Sequence, residues 1–192
     1  MTRLTLLVDI QRCIGCWACT VACKQENSVP PGVFRNQLFL VGPFGEYPDV
    51  KAYFLSRPCM HCEDAACVKA CPTGATFQRG DGTVQIDQDK CIVCGYCAWA
   101  CPYGARQINP VSKRIEGCSM CSQRIDVGLD PACVHHCMGK ALMFGDLNDP
   151  NSDISKYLEA NKDRVFPLLE SFGTKPRTIY LAPKMGALVP KP

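Results

Sequence analysis

The feature that most narrows what this chain can fold into is the placement of its sixteen cysteines, which fall into four runs with none left over. The third run is the most regular, with Cys91, Cys94, Cys97 and Cys101 closed by Pro102. The first run, Cys13, Cys16, Cys19 and Cys23, repeats its spacing, with Lys24 where the proline would stand. The second, Cys59, Cys62, Cys67 and Cys71, widens the middle gap to four residues and keeps Pro72. The fourth, Cys118, Cys121, Cys133 and Cys137, widens that gap to eleven, with Met138 at the proline position.

Cysteines two residues apart, three in succession, with a fourth before a proline, have the ligand spacing of bacterial [4Fe-4S] ferredoxins. Three thiolates so spaced can wrap one cuboidal cluster, because the intervening pairs turn the backbone and aim its amides at the sulfides. An even cysteine count also permits a disulfide framework, but compact quartets without a secretory leader favour metal. Structural zinc sites join two Cys-x-x-Cys knuckles across a longer loop, and only the Cys118 run has that form. Four [4Fe-4S] clusters are therefore expected. The formal charge of +3 falls to about −5 once each thiolate-bound cluster contributes about −2. The slight basicity is no signal for nucleic acid.

No apolar run approaches the roughly 18 residues of a membrane span. The N-terminus, interrupted by Asp9, has neither a leader-length apolar stretch nor twin arginines. Leu4 to Ile10 reads as a strand leading into the first ligand loop. Phe34 to Val41 and Lys51 to Arg57 read as two strands, with breaks at Gly42-Pro43 and Tyr47-Pro48. Ala75 to Phe77 and Val84 to Ile86 flank a Gly-rich turn and predict a hairpin, which makes the Arg79-Gly80-Asp81 triplet a turn. A further strand and turn lie between Tyr103 and Gly117, and Ala141 to Phe144 supplies a last short strand. Asp149 to Asp153 form a turn and N-cap for a helix carrying Ile154, Tyr157 and Leu158 and ending near Asn161. The tail beyond it, with Thr178 to Leu181 as a strand, reads as an extended strap that cannot fold alone.

Arg12 and Lys90 precede their ligand loops, where each is either a cation offsetting cluster charge or an ordinary surface residue. His61, His135 and His136 lie near ligands, but each quartet is complete without them, so they are expected to pack or hydrogen-bond. The chain carries no Gly-x-Gly-x-x-Gly, Walker loop or nucleophile elbow, and no catalytic residue is expected.

Two runs make one ferredoxin module, in which the fourth cysteine of each run serves the other run's cluster. Four runs make two modules in an internal repeat. The 19-residue gap from Cys71 to Cys91 and the 16-residue gap from Cys101 to Cys118 suit partners equally, so spacing leaves the pairing open.

The order of the runs, the wide fourth gap, Cys-x-His-Cys-Glu-Asp-x-x-Cys at 59 to 67, Cys-Pro-Thr-Gly-Ala at 71 to 75 and Phe-Gly-Asp at 144 to 146 carry a resemblance. The chain resembles the four-cluster electron-transfer subunit of the dimethyl sulfoxide reductase family of molybdopterin enzymes. The short length and Gly173-Thr174-Lys175-Pro176 are most similar to the small subunits of polysulfide, thiosulfate and arsenate reductases. Met138 departs from the family's usual Cys-Pro.

The resemblance implies an α+β fold of two nested bacterial-ferredoxin-like modules, with β-hairpin insertions and an extended C-terminal tail. Residues 1–47 and 116–146 would form the outer module, 48–115 the inner one, and 147–192 the helix and strap. It implies that Cys13, Cys16, Cys19 and Cys137 hold a first cluster, and Cys23, Cys118, Cys121 and Cys133 a second. Cys71, Cys91, Cys94 and Cys97 would hold a third, and Cys59, Cys62, Cys67 and Cys101 a fourth. The first would lie nearest a molybdopterin catalytic subunit and the fourth nearest an integral membrane, quinone-reactive anchor subunit.

Some relatives carry tryptophan in the third run and hold a three-iron cluster there; Cys94 is retained here, so four cubanes are expected. The implied function is non-catalytic electron relay at the outer, periplasmic face of the cytoplasmic membrane, with a cytoplasmic location as the alternative. A subunit of a hydrogenase or formate dehydrogenase complex, a free polyferredoxin and a zinc-bound scaffold are the rival readings.

Overall fold

The computed structural model describes residues 2–183; the remainder of the expected strap, 184–192, lies outside them. In chain order, β1 (Leu4–Asp9) leads through a 3-10 turn at Ile10–Arg12 to α1 (Ala18–Glu26), β2 (Gln37–Phe44) and β3 (Lys51–Arg57). Then come α2 (Ala66–Lys69), β4 (Thr76–Gln78), β5 (Val84–Ile86), α3 (Tyr96–Trp99), β6 (Arg106–Ile108) and β7 (Ile115–Gly117). They are followed by α4 (Ser122–Ile125), α5 (Ala132–His135), β8 (Leu142–Asp146), α6 (Asp153–Glu159), β9 (Val165–Phe166) and β10 (Ile179–Leu181). The fold is α+β, as expected.

β1 is the centre of a four-stranded sheet of order β8-β1-β10-β9. It runs antiparallel to β8, pairing Leu6 with Phe144, and parallel to β10, pairing Val8 with Tyr180. Alternate side chains of a strand point to opposite faces. Leu6 and Val8, with Ile10 beyond the strand end, enter the main core beside Cys19, Cys133, Met60, Met120 and Tyr180. Leu7 points the other way, packing with Leu181 against Ile154 of α6. Burial on both faces explains why β1 reads as a nearly continuous apolar run.

Ser152 caps α6 by accepting from the Ser155 amide at 3.3 Å, and Asp153 suits the positive end of the helix. A Cβ on Gly145 would lie 2.7 Å from Ile154 Cγ2, so the small residue lets α6 sit flush on β8. Full burial of Ile154 stabilises this docking by about 1.5–3 kcal/mol.

Three two-stranded hairpins, β2-β3, β4-β5 and β6-β7, complete the β structure. β2 begins at Gln37 rather than Phe34 and continues past the expected break at Gly42-Pro43 to Phe44, with an irregular register after Val41. The helices pair in a nested manner: α1 packs on α5, and α2 on α3. Among the described residues no helix is long and apolar enough to cross a membrane.

The tail is woven into the body rather than laid over it. Besides the β1-β10 pairing, the Arg177 and Thr178 amides donate to the Met60 carbonyl at 2.9 and 3.2 Å. The Thr178 hydroxyl donates to the Cys59 carbonyl at 3.0 Å, and Tyr103 Oη lies 2.6 Å from Thr174 Oγ1. The strap therefore fastens the second ligand loop from outside.

Candidate metal centres

The last two cysteines of every run are four residues apart, and in the structure that interval is one turn of helix. Cys19 and Cys23 lie in α1, while Cys67/Cys71, Cys97/Cys101 and Cys133/Cys137 straddle α2, α3 and α5. Four residues rise about 6 Å along an α-helix, so the two thiols of each pair lie about one turn apart.

The first Cys-x-x-Cys of each run has its own repeated geometry. The residue two past the first cysteine is left-handed in all four: Gly15 (φ 71°), His61 (φ 42°), Val93 (φ 57°) and Met120 (φ 56°). That turn folds the amide back on the preceding sulfur. The His61 amide donates to Cys59 Sγ at 3.4 Å, and the Met120 amide to Cys118 Sγ at 3.3 Å. Beyond the final cysteine of a run, the Thr76 amide donates to Cys71 Sγ at 3.3 Å. The Ala141 and Leu142 amides donate to Cys137 Sγ at 3.2 and 3.4 Å. Such bonds favour the thiolate that iron requires.

The cysteines converge in sets drawn from different runs. Cys13, Cys16, Cys19 and Cys137 line one cavity, with Trp17, Leu38 and Ser56 in its wall. Cys23, Cys118, Cys121 and Cys133 line a second, with Asn27 and Arg35. Cys62 has Cys67 and Cys101 as electrostatic neighbours, and Cys59 has Cys67. Cys97 faces Cys71 and also Cys67. All sixteen cysteines are free thiols rather than disulfides. Among the described residues no three Cys, His, Asp or Glu side chains converge as a single metal ion requires. This spread suits a cluster with separate metal corners better than one zinc ion, whose thiolates each lie about 2.3 Å from it.

Neighbouring sulfurs also reach across the sets implied by resemblance. Cys23 and Cys133 have Cys19 as an electrostatic neighbour. Cys59 has Cys118 as such a neighbour, and Cys97 has Cys67. Thr178 of the strap donates to the Cys59 carbonyl, and Cys59 is buried, whereas Cys94 is exposed.

Burial dominates the electrostatics. It pushes the thiols of Cys23 and Cys62 up to about 11 and that of Cys118 to about 12. Burial also raises Cys59 and Cys133, and neighbouring sulfurs push both in the same direction. Such thiols remain protonated at neutral pH unless a metal takes the proton's place.

Three groups beside the sulfurs carry no sequence signature. Asn27 Nδ2 reaches Cys23 and Cys121 Sγ at 3.8 and 3.7 Å. Arg35, near Cys23 and Cys118, is paired with Glu116 at 2.5 Å. Arg106 is buried beside Cys67. His61 is fully buried, and its Nδ1 accepts from the Val84 amide at 2.9 Å. Burial, then the charge of Arg106, lowers its pKa to about 3, which keeps the ring neutral. His135 and His136 are exposed and stack edge to face. Lys90 pairs with Asp87 at 3.2 Å, and Arg12 lies over the Tyr157 ring, so neither is directed at a sulfur by these contacts.

Two profiles described as "4Fe-4S dicluster domain" match the chain, one over residues 50–147 and one over 12–75. The chain belongs to the 4Fe-4S dicluster family. Among similar members, a tetrathionate reductase subunit of Salmonella typhimurium is 42% identical, covering 93% of this chain and 72% of its own. A polysulfide reductase chain of Wolinella succinogenes is 41% identical over 95% and 96%. Protein NrfC of Escherichia coli is 44% identical over 96% and 82%. This dicluster protein is an electron-transfer iron-sulfur subunit, non-catalytic in itself, and its two dicluster domains provide for four [4Fe-4S] clusters.

Proposed function

We propose that the chain carries single electrons between a molybdopterin catalytic subunit and an integral membrane, quinone-reactive subunit of a polysulfide-, thiosulfate- or arsenate-type reductase. The ligand sets in this reading are Cys13/Cys16/Cys19/Cys137, Cys23/Cys118/Cys121/Cys133, Cys59/Cys62/Cys67/Cys101 and Cys71/Cys91/Cys94/Cys97. The first two belong to an outer module of residues 1–47 and 116–146, the last two to an inner module of 48–115, with 147–192 as the fastening segment. When bound, each cluster supplies a one-electron couple. The chain's own residues fix the spacing, keep water out and set the potentials.

The observation that carries the reading is the character of the two ends. Each terminal set has one exposed cysteine, Cys16 at one end and Cys94 at the other. Around Cys16 lie exposed Ile14, Trp17 and Met138; around Cys94 lie Ile92, Tyr96 and Trp99. The interior sets carry no exposed cysteine. A relay between two proteins needs a port at each end, and exposed aromatic residues are the kind that interfaces bury. The same reading assigns the subunit to the outer face of the cytoplasmic membrane, held there by its partners.

Anaerobic isolation of the native complex tests this. The expected result is about four irons for each of four ligand sets, a pterin on the large subunit and reduction by a quinol. A hydrogenase or formate-oxidising partner would replace the reading with its rival. A stable, partner-free monomer would support a free polyferredoxin instead.

A further inference from the structure

Arg106 begins β6 five residues after Cys101 and is 4% exposed. Its Nη2 lies 3.9 Å from Cys67 Sγ, and its Nε and Nη1 have no hydrogen-bond partner. The planar group rests on Gly117, where a Cβ would come within 2.9 Å of Nη1. Among the described residues the other buried guanidinium has a counter-ion: Arg164 pairs with Asp9 at 2.6 Å. Glu116 shares a cavity with Arg106 and Gln88, but its oxygens are engaged by Arg35 and by Asn109. A buried charge is costly without an opposite charge. The groups positioned to supply it are sulfurs, Cys59 and Cys67 from one ligand set and Cys97 from the next.

We propose that Arg106 is the shared counter-ion of the two inner-module clusters and holds both at higher potential than the same clusters would have without it. This inference rests on the ligand sets of the preceding section. Gain of one electron takes a thiolate-bound unit from a net charge of about −2 to about −3. A fixed positive charge in a medium of low dielectric stabilises the second form more than the first. The neighbouring Cys23 set sits beside Arg35, whose charge Glu116 largely cancels. Electrons crossing from Cys118 to Cys59 therefore move toward an uncancelled cation.

EPR-monitored redox titration of the iron-loaded protein in its native complex tests this with Arg106→Gln, Arg106→Lys and Gln88→Glu. Gln88 lines the same cavity and has a buried Oε1 with no hydrogen-bond partner, so Gln88→Glu brings a carboxylate to Arg106 without removing it. Arg106→Gln and Gln88→Glu are each expected to lower two of the four midpoints by at least a tenfold change in the reduced-to-oxidised ratio, about 59 mV for one electron. Arg106→Lys is expected to restore most of the shift, and the other two midpoints to stay in place. Unchanged midpoints in fully loaded Arg106→Gln or Gln88→Glu overturn the proposal. Iron loss shared by Arg106→Gln and Arg106→Lys overturns it in favour of packing, whereas loss spared in Arg106→Lys leaves charge as the cause. Wild-type protein lacking four clusters would sink the ligand assignment itself, a separate failure visible before any variant is made.

Discussion

Asp9 and Arg164, separated by 155 positions in the chain, form a buried two-pronged ion pair, with Nη2 to Oδ1 at 2.6 Å and Nη1 to Oδ2 at 3.2 Å. Asp9 ends β1 just before the first ligand loop, and it also accepts from the Gln11 amide and from Tyr157 Oη at 2.7 Å. Arg164 reaches on to the Ala182 carbonyl at 2.8 Å. One carboxylate thus joins β1, α6, the segment after α6 and the end of β10.

Removing either partner leaves a buried charge alone. Asp9→Asn or Arg164→Met should each cost about 3–5 kcal/mol, read as a lower denaturant midpoint and faster iron release. The double change Asp9→Leu with Arg164→Met should recover part of that loss, because an apolar pair leaves no uncompensated charge. Equal loss in the single and double variants would assign the effect to packing.

The four left-handed positions predict opposite responses. Gly15 has φ 71°, and a Cβ there would lie 2.6 Å from the Phe54 ring. Gly15→Ala should therefore cost about 1–2 kcal/mol in backbone strain, with steric cost added, and should empty the Cys13 set first. Phe54→Leu in the same chain should relieve only the steric part. At Val93, φ 57°, a β-branched residue occupies the equivalent strained position. Val93→Gly should gain up to about 1 kcal/mol, the strain relieved less the entropy of glycine. Iron content and denaturant midpoints check both.

Glu116 cancels the charge of Arg35 beside Cys23 and Cys118. Glu116→Gln should uncover that charge and raise the potential of the cluster at the Cys23 set, leaving the Cys13 cluster in place. A redox titration in which no midpoint rises would refute this.

The two ports should be separable. Trp99→Glu, at a position 83% exposed, should abolish binding to one partner, and Trp17→Glu, 47% exposed, to the other. Trp99→Glu should retain full iron, since its side chain lies outside the core of the described residues. Trp17 also walls the Cys13 cavity, so partner loss in Trp17→Glu is read on the iron-loaded fraction. Loss of the same partner from both would show that the two ends do not serve different proteins.

The cysteine runs and the iron-sulfur class they signal were readable from the sequence because spacing along the chain is a local, covalent constraint. The hairpins were readable for a related reason, with glycine at the Arg79 to Thr83 turn and alternating strands on each side. α6 announced itself through Ser152 and one-face spacing. The helices α1 to α5 did not, for two physical reasons. Four of them span only four residues, too few to show a period. Several also start from a left-handed residue, Trp17, Gly95 or Cys121, instead of an oxygen-bearing cap. Pairing between runs was open because loop length constrains closure only weakly. The helix contacts, α1 on α5 and α2 on α3, arise from packing that loop length does not reveal. Arg106 and Arg35 look like any surface cations until the fold buries them.

In the proposed ligand sets every cysteine-bearing helix lends one sulfur to each of two centres, and this binds their fates. Excising or unravelling any single run would strip ligands from two redox stations at once, so the conductor cannot be shortened one station at a time by deleting contiguous sequence. Gradual loss of a station has to proceed by replacing individual thiols while the helices stay, whereas wholesale trimming must discard a mated pair of runs.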